Sequence, residues 1–112
     1  MERYTYEEII ESVEEDFQSS FKLGDDHVAA TMRLLGDFYK DIIQSNSIEN
    51  LMFHVAICLY LKAQNFSIEH MKMSLVKVIE DVPLASIKDD LEVEEFNRLQ
   101  NDLNQVQAFV SI

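Results

Sequence analysis

Apolar residues in the first part of the chain recur at intervals of three and four, the spacing that places side chains on one face of an α-helix. They are Tyr6, Ile9, Ile10, Val13, Phe17 and Phe21. Thr5 and Glu8 form a capping-box pattern, in which the hydroxyl and the carboxylate each bind a free backbone N–H. Gly24 supplies a stop signal. The pattern predicts a first helix that begins at Thr5, with Glu8, Glu11 and Glu15 on its solvated face.

A second helix should begin at Asp25 or Asp26, since aspartate is a favoured N-cap. Its apolar line consists of Val28, Met32, Leu35, Tyr39 and Ile42, flanked by Phe38. Gly36 lies beside this line and would permit another helix to pack closely. The polar residues 44–47 then break the pattern.

The third predicted helix is capped by Ser47 and runs to about Asn65. It is apolar nearly all round, whereas a surface helix has a single apolar face. We therefore expect it to be the central helix of the fold, near residues 48–65.

Two more helices are predicted in the last part of the chain. Ser67 should cap the fourth helix and Pro83 should end it, because proline clashes with a continuing helix. The inward face of the fourth helix consists of Ile68, Met71, Leu75, Val78, Ile79 and Val82. The fifth helix follows an acidic linker, and its apolar stripe consists of Phe96, Leu99, Leu103, Val106 and Val110. The fold class is therefore predicted to be all-α, a single domain of residues 1–112 built as a bundle of about five helices.

Composition agrees with this prediction. A length of 112 residues fits one domain, and an apolar fraction of 47% is ordinary for a globular protein. Two glycines and one proline are too few for the many turns of a β-sandwich or barrel.

Three features bear on the compartment in which the protein works. The single cysteine, Cys58, cannot close an internal disulfide and lies in the most apolar stretch, which predicts a buried thiol in a reducing compartment. No signal-peptide pattern follows Met1. The longest apolar run, residues 51–61, is too short for a membrane helix. We expect a cytoplasmic protein that does not bind membranes.

The formal net charge of −12 is concentrated at the two ends of the chain. Residues 1–26 hold nine acidic and two basic side chains, and residues 80–112 hold eight and two, while the middle is nearly neutral. Such a surface repels phosphate and attracts basic partners. It argues against direct nucleic-acid binding, which needs basic patches. Solubility alone is the other use that such charge can have.

No pattern in the sequence indicates catalysis or a cofactor. His27, His54 and His70 lie outside any metal-binding motif, and isolated glycines do not make a phosphate-binding loop. His54 and Cys58 share a helix face at a spacing of four, but apolar surroundings raise the pKa of a thiol and disfavour the thiolate. We therefore predict that the protein is not an enzyme and binds neither a metal nor a cofactor.

Two groups of acids are the candidate partner-binding residues. The first acidic cluster consists of Glu7, Glu8, Glu11, Glu14 and Glu15. The second acidic cluster, before and at the start of the last helix, consists of Asp89, Asp90, Glu92, Glu94 and Glu95, and its candidates are Asp89, Asp90 and Glu94. The helix dipole favours carboxylates in a first helical turn, but most of the first acidic cluster lies beyond that turn, where like charges one turn apart repel. The first acidic cluster is therefore the stronger candidate.

The order of features along the chain is similar to that of a known family. The features are Tyr4-Thr5-Tyr6-Glu7-Glu8 opening an acidic helix, then Gly24-Asp25-Asp26, Phe38, the apolar Val55-Ala56-Ile57-Cys58-Leu59, and a closing Phe96-Asn97-Arg98-Leu99. Over nearly its whole length the chain resembles one of the small helical immunity-protein families of bacterial polymorphic toxin systems. The resemblance implies a cytoplasmic protein that binds and neutralises a cognate toxin domain, and it assigns no interface residues.

Charge and resemblance together lead to one hypothesis, an immunity protein that binds a toxin with a basic surface. The expected toxin is a nuclease, because carboxylates can stand in for phosphates in a basic cleft. The alternative hypothesis is a non-catalytic adaptor or scaffold that self-associates through an exposed apolar face, such as that of the last helix. Neither hypothesis fixes the oligomeric state.

Overall fold

The computed structural model describes residues 3–110, and all the regular structure in that range is helical. Within it lie the α-helices α1 (Tyr6–Lys22), α2 (His27–Arg33), α3 (Lys40–Ser45), α4 (Ser47–Ala63), α5 (Lys72–Asp81) and α6 (Val93–Val110). A π-helical turn covers Leu34–Phe38, and 3₁₀ turns cover Glu69–Met71 and Leu84–Asp90. The all-α prediction is confirmed, but the predicted number of five helices is too low. Residues 1–2 and 111–112 of the predicted domain lie outside the described residues.

The predicted second helix is divided in two by the π-helical turn. The backbone N–H of Tyr39 donates to the carbonyl of Leu34 at 2.8 Å, a bond that spans five residues. Tyr39 then leaves the helical conformation, with φ −109° and ψ 2°. Because a π turn adds one residue, the buried side chains follow the spacing Ala30, Leu34, Tyr39. This extra residue separates α2 from α3.

The same turn makes part of the predicted apolar line wrong. Val28 and Met32 lie on the outer face of α2 and are exposed, as is Phe38 in the π-helical turn. Gly36 does not support close packing, since a Cβ added there would have no atom within 4 Å. The outer side of this region is therefore open to solvent.

The three long helices α1, α4 and α6 run in the same direction. Arg3, just before α1, is paired with Glu95 in the first turn of α6, and its charge also lies near Glu49 in the first turn of α4. At the other end of the bundle, Lys62 of α4 lies over the ring of Phe109 of α6, 5.1 Å from its centroid. The positive ends of three helix dipoles therefore meet at one end of the molecule, which we call the N-terminal end of the bundle.

Helix α4 forms the centre of the core, as its sequence predicted. Every side chain from 51 to 58 is buried. The ring of Phe17 in α1 stacks on Tyr60 of α4 with centroids 4.9 Å apart. The predicted stripe of α6 is buried along its whole length. The core is thus built by α1 and α6, which both pack against α4 and contact each other, with α5 packed against α4 as well.

Several predicted helix ends are confirmed. Thr5 and Glu8 form the reciprocal capping box at 3.0 and 3.2 Å, and Asp26 caps α2 through the N–H of Ala29. Gly24 has φ +95°, a conformation that glycine adopts without strain. The backbone N–H groups of Gly24 and Asp25 return to carbonyls in the last turn of α1, which is a Schellman ending.

Two predicted caps are wrong by a short distance. The cap of α4 is Asn46, whose side-chain oxygen accepts from the N–H of Glu49 at 3.0 Å, so Ser47 is the first helical residue instead. Ser67 accepts from the N–H of Glu69 at 3.3 Å and starts a 3₁₀ turn. Helix α5 begins only after that turn.

Candidate partner-binding surface

The first acidic cluster is exposed, but its five members do not form one face. Glu8, Glu11 and Glu15 line a groove of about 380 Å³ bounded by α1, α3 and α4, which we call the α1 groove. Glu7 lines a second cavity, of about 620 Å³, at the N-terminal end of the bundle. Glu14 is exposed and lines neither. The structure therefore separates three of the predicted binding residues from the other two.

The cavity at the N-terminal end brings the two acidic clusters together. Glu7 of the first cluster and Glu94 of the second both line it, as do Arg3 and Arg98. Arg3 donates two hydrogen bonds to Glu95, and this contact holds the pKa of Glu95 below its usual range. Much of the negative charge in this cavity is therefore balanced by arginines of the chain itself.

The fold itself accounts for many acids at this end. Each of the three parallel helices has acidic residues in its first turn, namely Glu7 and Glu8 in α1, Glu49 in α4, and Glu94 and Glu95 in α6. The helix dipole favours an exposed carboxylate in a first helical turn. Glu8 also accepts the N–H of Thr5, which lowers the pKa of its carboxyl. The fold therefore gives Glu7, Glu8, Glu94 and Glu95 a role without a partner, whereas Glu49 is buried and its burial raises the pKa of the carboxyl.

Glu11 and Glu15 have no such explanation. They lie beyond the first turn of α1, one helical turn apart, where two negative charges repel each other. The ion pairs found within residues 3–110 are Arg3–Glu95 and Arg33–Asp25. Glu11 and Glu15 are therefore exposed charges that nothing in the described part of the chain neutralises.

Apolar and aromatic side chains form the floor of the α1 groove. Ile9 and Phe53 are buried beneath it, and Ile42 is partly buried at its side. The ring of Tyr39 stacks on Phe53 with centroids 4.1 Å apart. Tyr4 stands at the edge of the groove with 46% of its surface exposed. The groove thus combines an apolar floor with three carboxylates.

The Tyr39 side of the groove is fixed by hydrogen bonds. The Tyr39 hydroxyl donates to the carboxylate of Asp16 and lies 3.3 Å from the hydroxyl of Ser12. Burial and the bond to Asp16 raise the pKa of Tyr39, so the phenol stays protonated. The groove is therefore held in shape before any partner arrives.

Sequence reasoning did not predict the α1 groove. Tyr39 was expected only in the core, and Tyr4, Ile42 and Phe53 were not candidate site residues. The groove joins segments that are distant in the chain, so its only sequence signal was the one-turn spacing of the glutamates on α1.

The other two candidates of the second acidic cluster lie outside both cavities. Asp89 and Asp90 are exposed in the 3₁₀ turn before α6. Asp90 is close enough to Arg3 for its charge to raise the pKa of the guanidinium, after the larger effect of Glu95. Glu94 is the candidate of this cluster that shares a cavity with Glu7, together with Glu92 and Glu95 of the same cluster.

Potentially reactive side chains are buried in the core. His54 is 4% exposed; its Nδ1 lies 2.9 Å from the carbonyl of Asn50 and its Nε2 lies 2.7 Å from the hydroxyl of Ser74. This geometry assigns the imidazole proton to Nδ1, with Nε2 accepting from Ser74. Burial lowers the pKa of His54 and raises the pKa of Cys58 to about 12. His54 is therefore a hydrogen-bonded core histidine, and the predicted burial of the Cys58 thiol is confirmed.

Neither a metal-binding cluster nor a membrane-spanning helix is found in the described part of the chain. Among residues 3–110, no group of three or more His, Cys, Asp or Glu side chains has an arrangement that could hold a metal ion. In the same range, no helix has the length and apolar character needed to cross a lipid bilayer.

Comparison with known families identifies the class to which this helical domain belongs. A family model described as immunity protein Imm3 matches residues 2–111. The chain therefore belongs to the Imm3 family of immunity proteins. Comparisons with curated proteins and with solved structures give no match. Membership implies a protein that acts against a cognate toxin, which is its expected partner.

Proposed function

We propose that this immunity protein neutralises its toxin by binding it through the first acidic cluster, without chemistry of its own. The observation that carries the proposal is the pair Glu11 and Glu15, whose charges the fold leaves without a counterion among residues 3–110. A basic partner surface would remove their mutual repulsion and would speed association. The exposed side of α1 is the centre of this proposed interface.

We further propose that the toxin is a nuclease of a polymorphic toxin system and that neutralisation takes place in the cytoplasm. A nuclease binds the phosphates of its substrate through basic side chains, and these side chains would accept carboxylates in their place. Glu8 and Glu15 lie seven residues apart, which is about 10 Å along a helix. Such a row of charge suits an extended basic cleft. Glu7 and Glu94 would lie at the edge of the contact.

An adaptor or scaffold that self-associates remains the second candidate, but on a different face from the one predicted. The predicted stripe of α6 is buried, and the exposed apolar residues Val93 and Phe109 lie at opposite ends of that helix, so the last helix has no continuous exposed apolar face. Val28 and Met32 on α2 are 39% and 51% exposed and lie one turn apart. A scaffold function would therefore use α2.

Co-expression tests the proposed function. The toxin domain encoded beside this gene is expressed with the wild-type immunity protein, and both cell survival and complex formation are scored by growth and affinity purification. We expect survival together with a stable complex. Survival without any complex would contradict neutralisation by binding, and a complex that forms only between copies of this chain would favour the scaffold.

A further inference from the structure

We propose that the α1 groove receives an arginine side chain of the toxin, with its guanidinium between Glu11 and Glu15 and against the ring of Tyr4. The inference rests on the proposed function and names the contact through which the toxin is held. It concerns the groove alone and not the larger cavity at the N-terminal end of the bundle.

The lining of the groove restricts the chemistry of its occupant. Three carboxylates on one rim disfavour a phosphate or an acidic side chain. The apolar floor of Ile9 and Phe53 suits an aliphatic stem rather than a fully hydrated ion. A long side chain with an apolar stem and a positive head satisfies both conditions, which leaves arginine and lysine.

Arginine fits the groove better than lysine. Its planar guanidinium can donate to two carboxylates at once, whereas the lysine ammonium is a compact, strongly hydrated charge. It also stacks on aromatic faces, and the exposed ring of Tyr4 lines the groove beside the carboxylates. Glu11 and Glu15 on adjacent turns of α1 offer two acceptors to one guanidinium.

In its other cavity the chain already makes both kinds of contact, each with a different arginine. There Arg3 binds Glu95, and the guanidinium of Arg98 lies 5.8 Å from the centroid of the Tyr6 ring. That cavity therefore holds tyrosine, carboxylates and arginines together. The α1 groove has the tyrosine and the carboxylates, while no arginine or lysine lines it. An arginine from the partner would complete the same set of contacts.

The groove is also preorganised, which reduces the entropic cost of binding. Its Tyr39 side is held by the stack on Phe53 and by the bond to Asp16. Glu11 and Glu15 lie in the middle of the 17-residue helix α1, and Glu8 is held in its first turn by the capping box. An arriving arginine would need to order only its own side chain and the exposed carboxylates.

The test measures binding of the purified, catalytically inactivated toxin domain to variants of the groove. Glu11→Gln with Glu15→Gln removes two charges and keeps side-chain size, and Glu80→Gln with Asp81→Asn removes two exposed charges from α5 as the matched control. We expect the groove variant to lose about 100-fold in affinity, since the centre of an interface carries most of its energy. The control should stay within about 3-fold of wild type, because isolated exposed charges contribute little to affinity.

A second pair of variants tests the aromatic contact. Tyr4→Ala should weaken binding about 10-fold, whereas Tyr4→Phe should bind like wild type because it retains the ring face. Among single Arg→Ala variants of the toxin, one should lose affinity for the wild-type immunity protein. Combining that toxin variant with the groove variant should cause no further loss of affinity. Arg→Lys at that position should restore little of the affinity.

The outcomes separate the inference from the function on which it rests. If wild type forms the complex and the groove variant binds equally well, the arginine site is wrong while neutralisation by binding stands. The same conclusion follows if a lysine, or no basic residue of the toxin, is coupled to Glu11 and Glu15. If wild type does not bind the toxin domain at all, the proposed function fails as well. Circular dichroism establishes that each variant is folded.

Discussion

The hydroxyl of Tyr39 donates a hydrogen bond to the carboxylate of Asp16, and so joins the residue after the π-helical turn to the middle of α1. The two residues are 23 positions apart in the chain. The Tyr39 ring also stacks on Phe53 of α4. One side chain therefore ties α1, the π-helical turn and α4 together at the groove.

Removing this hydroxyl should destabilise the fold. We predict that Tyr39→Phe lowers the free energy of unfolding by about 1 kcal/mol, because it leaves a partly buried carboxylate with one partner fewer. Urea unfolding measures the change. Tyr60→Phe is the matched control, since the Tyr60 hydroxyl makes no hydrogen bond within the described range 3–110, and it should change stability by less than about 0.5 kcal/mol. Equal effects of the two variants would argue against the Asp16 contact.

Replacing each of the two glycines with alanine should change the stability of the protein in opposite directions. Gly36→Ala should stabilise the protein by about 0.5–1 kcal/mol, because alanine has less freedom to lose on folding and the added Cβ meets nothing within 4 Å. Gly24→Ala should destabilise it by about 1 kcal/mol, since φ +95° is strained for any residue with a Cβ. Thermal unfolding of the two variants and of wild type shows whether each substitution raises or lowers the stability. A stabilising Gly24→Ala would contradict the helix ending described above.

Mild acid should weaken the fold partly through His54. Burial lowers the pKa of His54 below its ordinary 6.5, so the unfolded chain binds a proton more readily than the folded one. The contribution of His54 is thus present above pH 6.5 and is lost as the pH falls below it. We predict that the free energy of unfolding declines less for His54→Gln than for wild type between pH 7.5 and pH 5.5.

A second histidine, His70, should contribute to the same loss of stability in acid. Burial and the nearby charge of His27 lower the pKa of His70 as well, so the His54→Gln variant should keep part of the decline. Urea unfolding of wild type and His54→Gln at pH 7.5 and pH 5.5 measures the decline in the free energy of unfolding for each protein. Parallel pH profiles for wild type and variant would show that His54 does not charge on unfolding.

Local patterns in the sequence predicted much of the fold. The capping box at Thr5, the stop at Gly24 and the stripe of α6 each depend on residues within a few turns of one another. Helix α4 was recognisable as central because it is apolar nearly all round. These features need no tertiary information.

The remaining features depend on packing between distant segments. The π-helical turn inserts one residue before Tyr39, so that Leu34 and not Met32 is buried on the same side as Tyr39. A pattern with spacings of three and four does not predict this inserted residue. The apolar pattern does not predict the parallel course of α1, α4 and α6 either. The α1 groove arises only where Glu11, Ile42 and Phe53 meet. The candidate site was therefore predictable as charge on α1, but not as a shape.

The measurement that tests the central proposal most directly is the association rate with the toxin domain, at low and at high salt. The test variant is Glu11→Lys with Glu15→Lys, and the control is Glu80→Lys with Asp81→Lys on α5, which changes the net charge equally. Glu8 is left unchanged because it completes the capping box. We predict that the groove variant associates at least about 10-fold more slowly than the control at low salt, and that salt narrows the difference. Equal rates for both variants at low salt would contradict binding through the acidic face of α1.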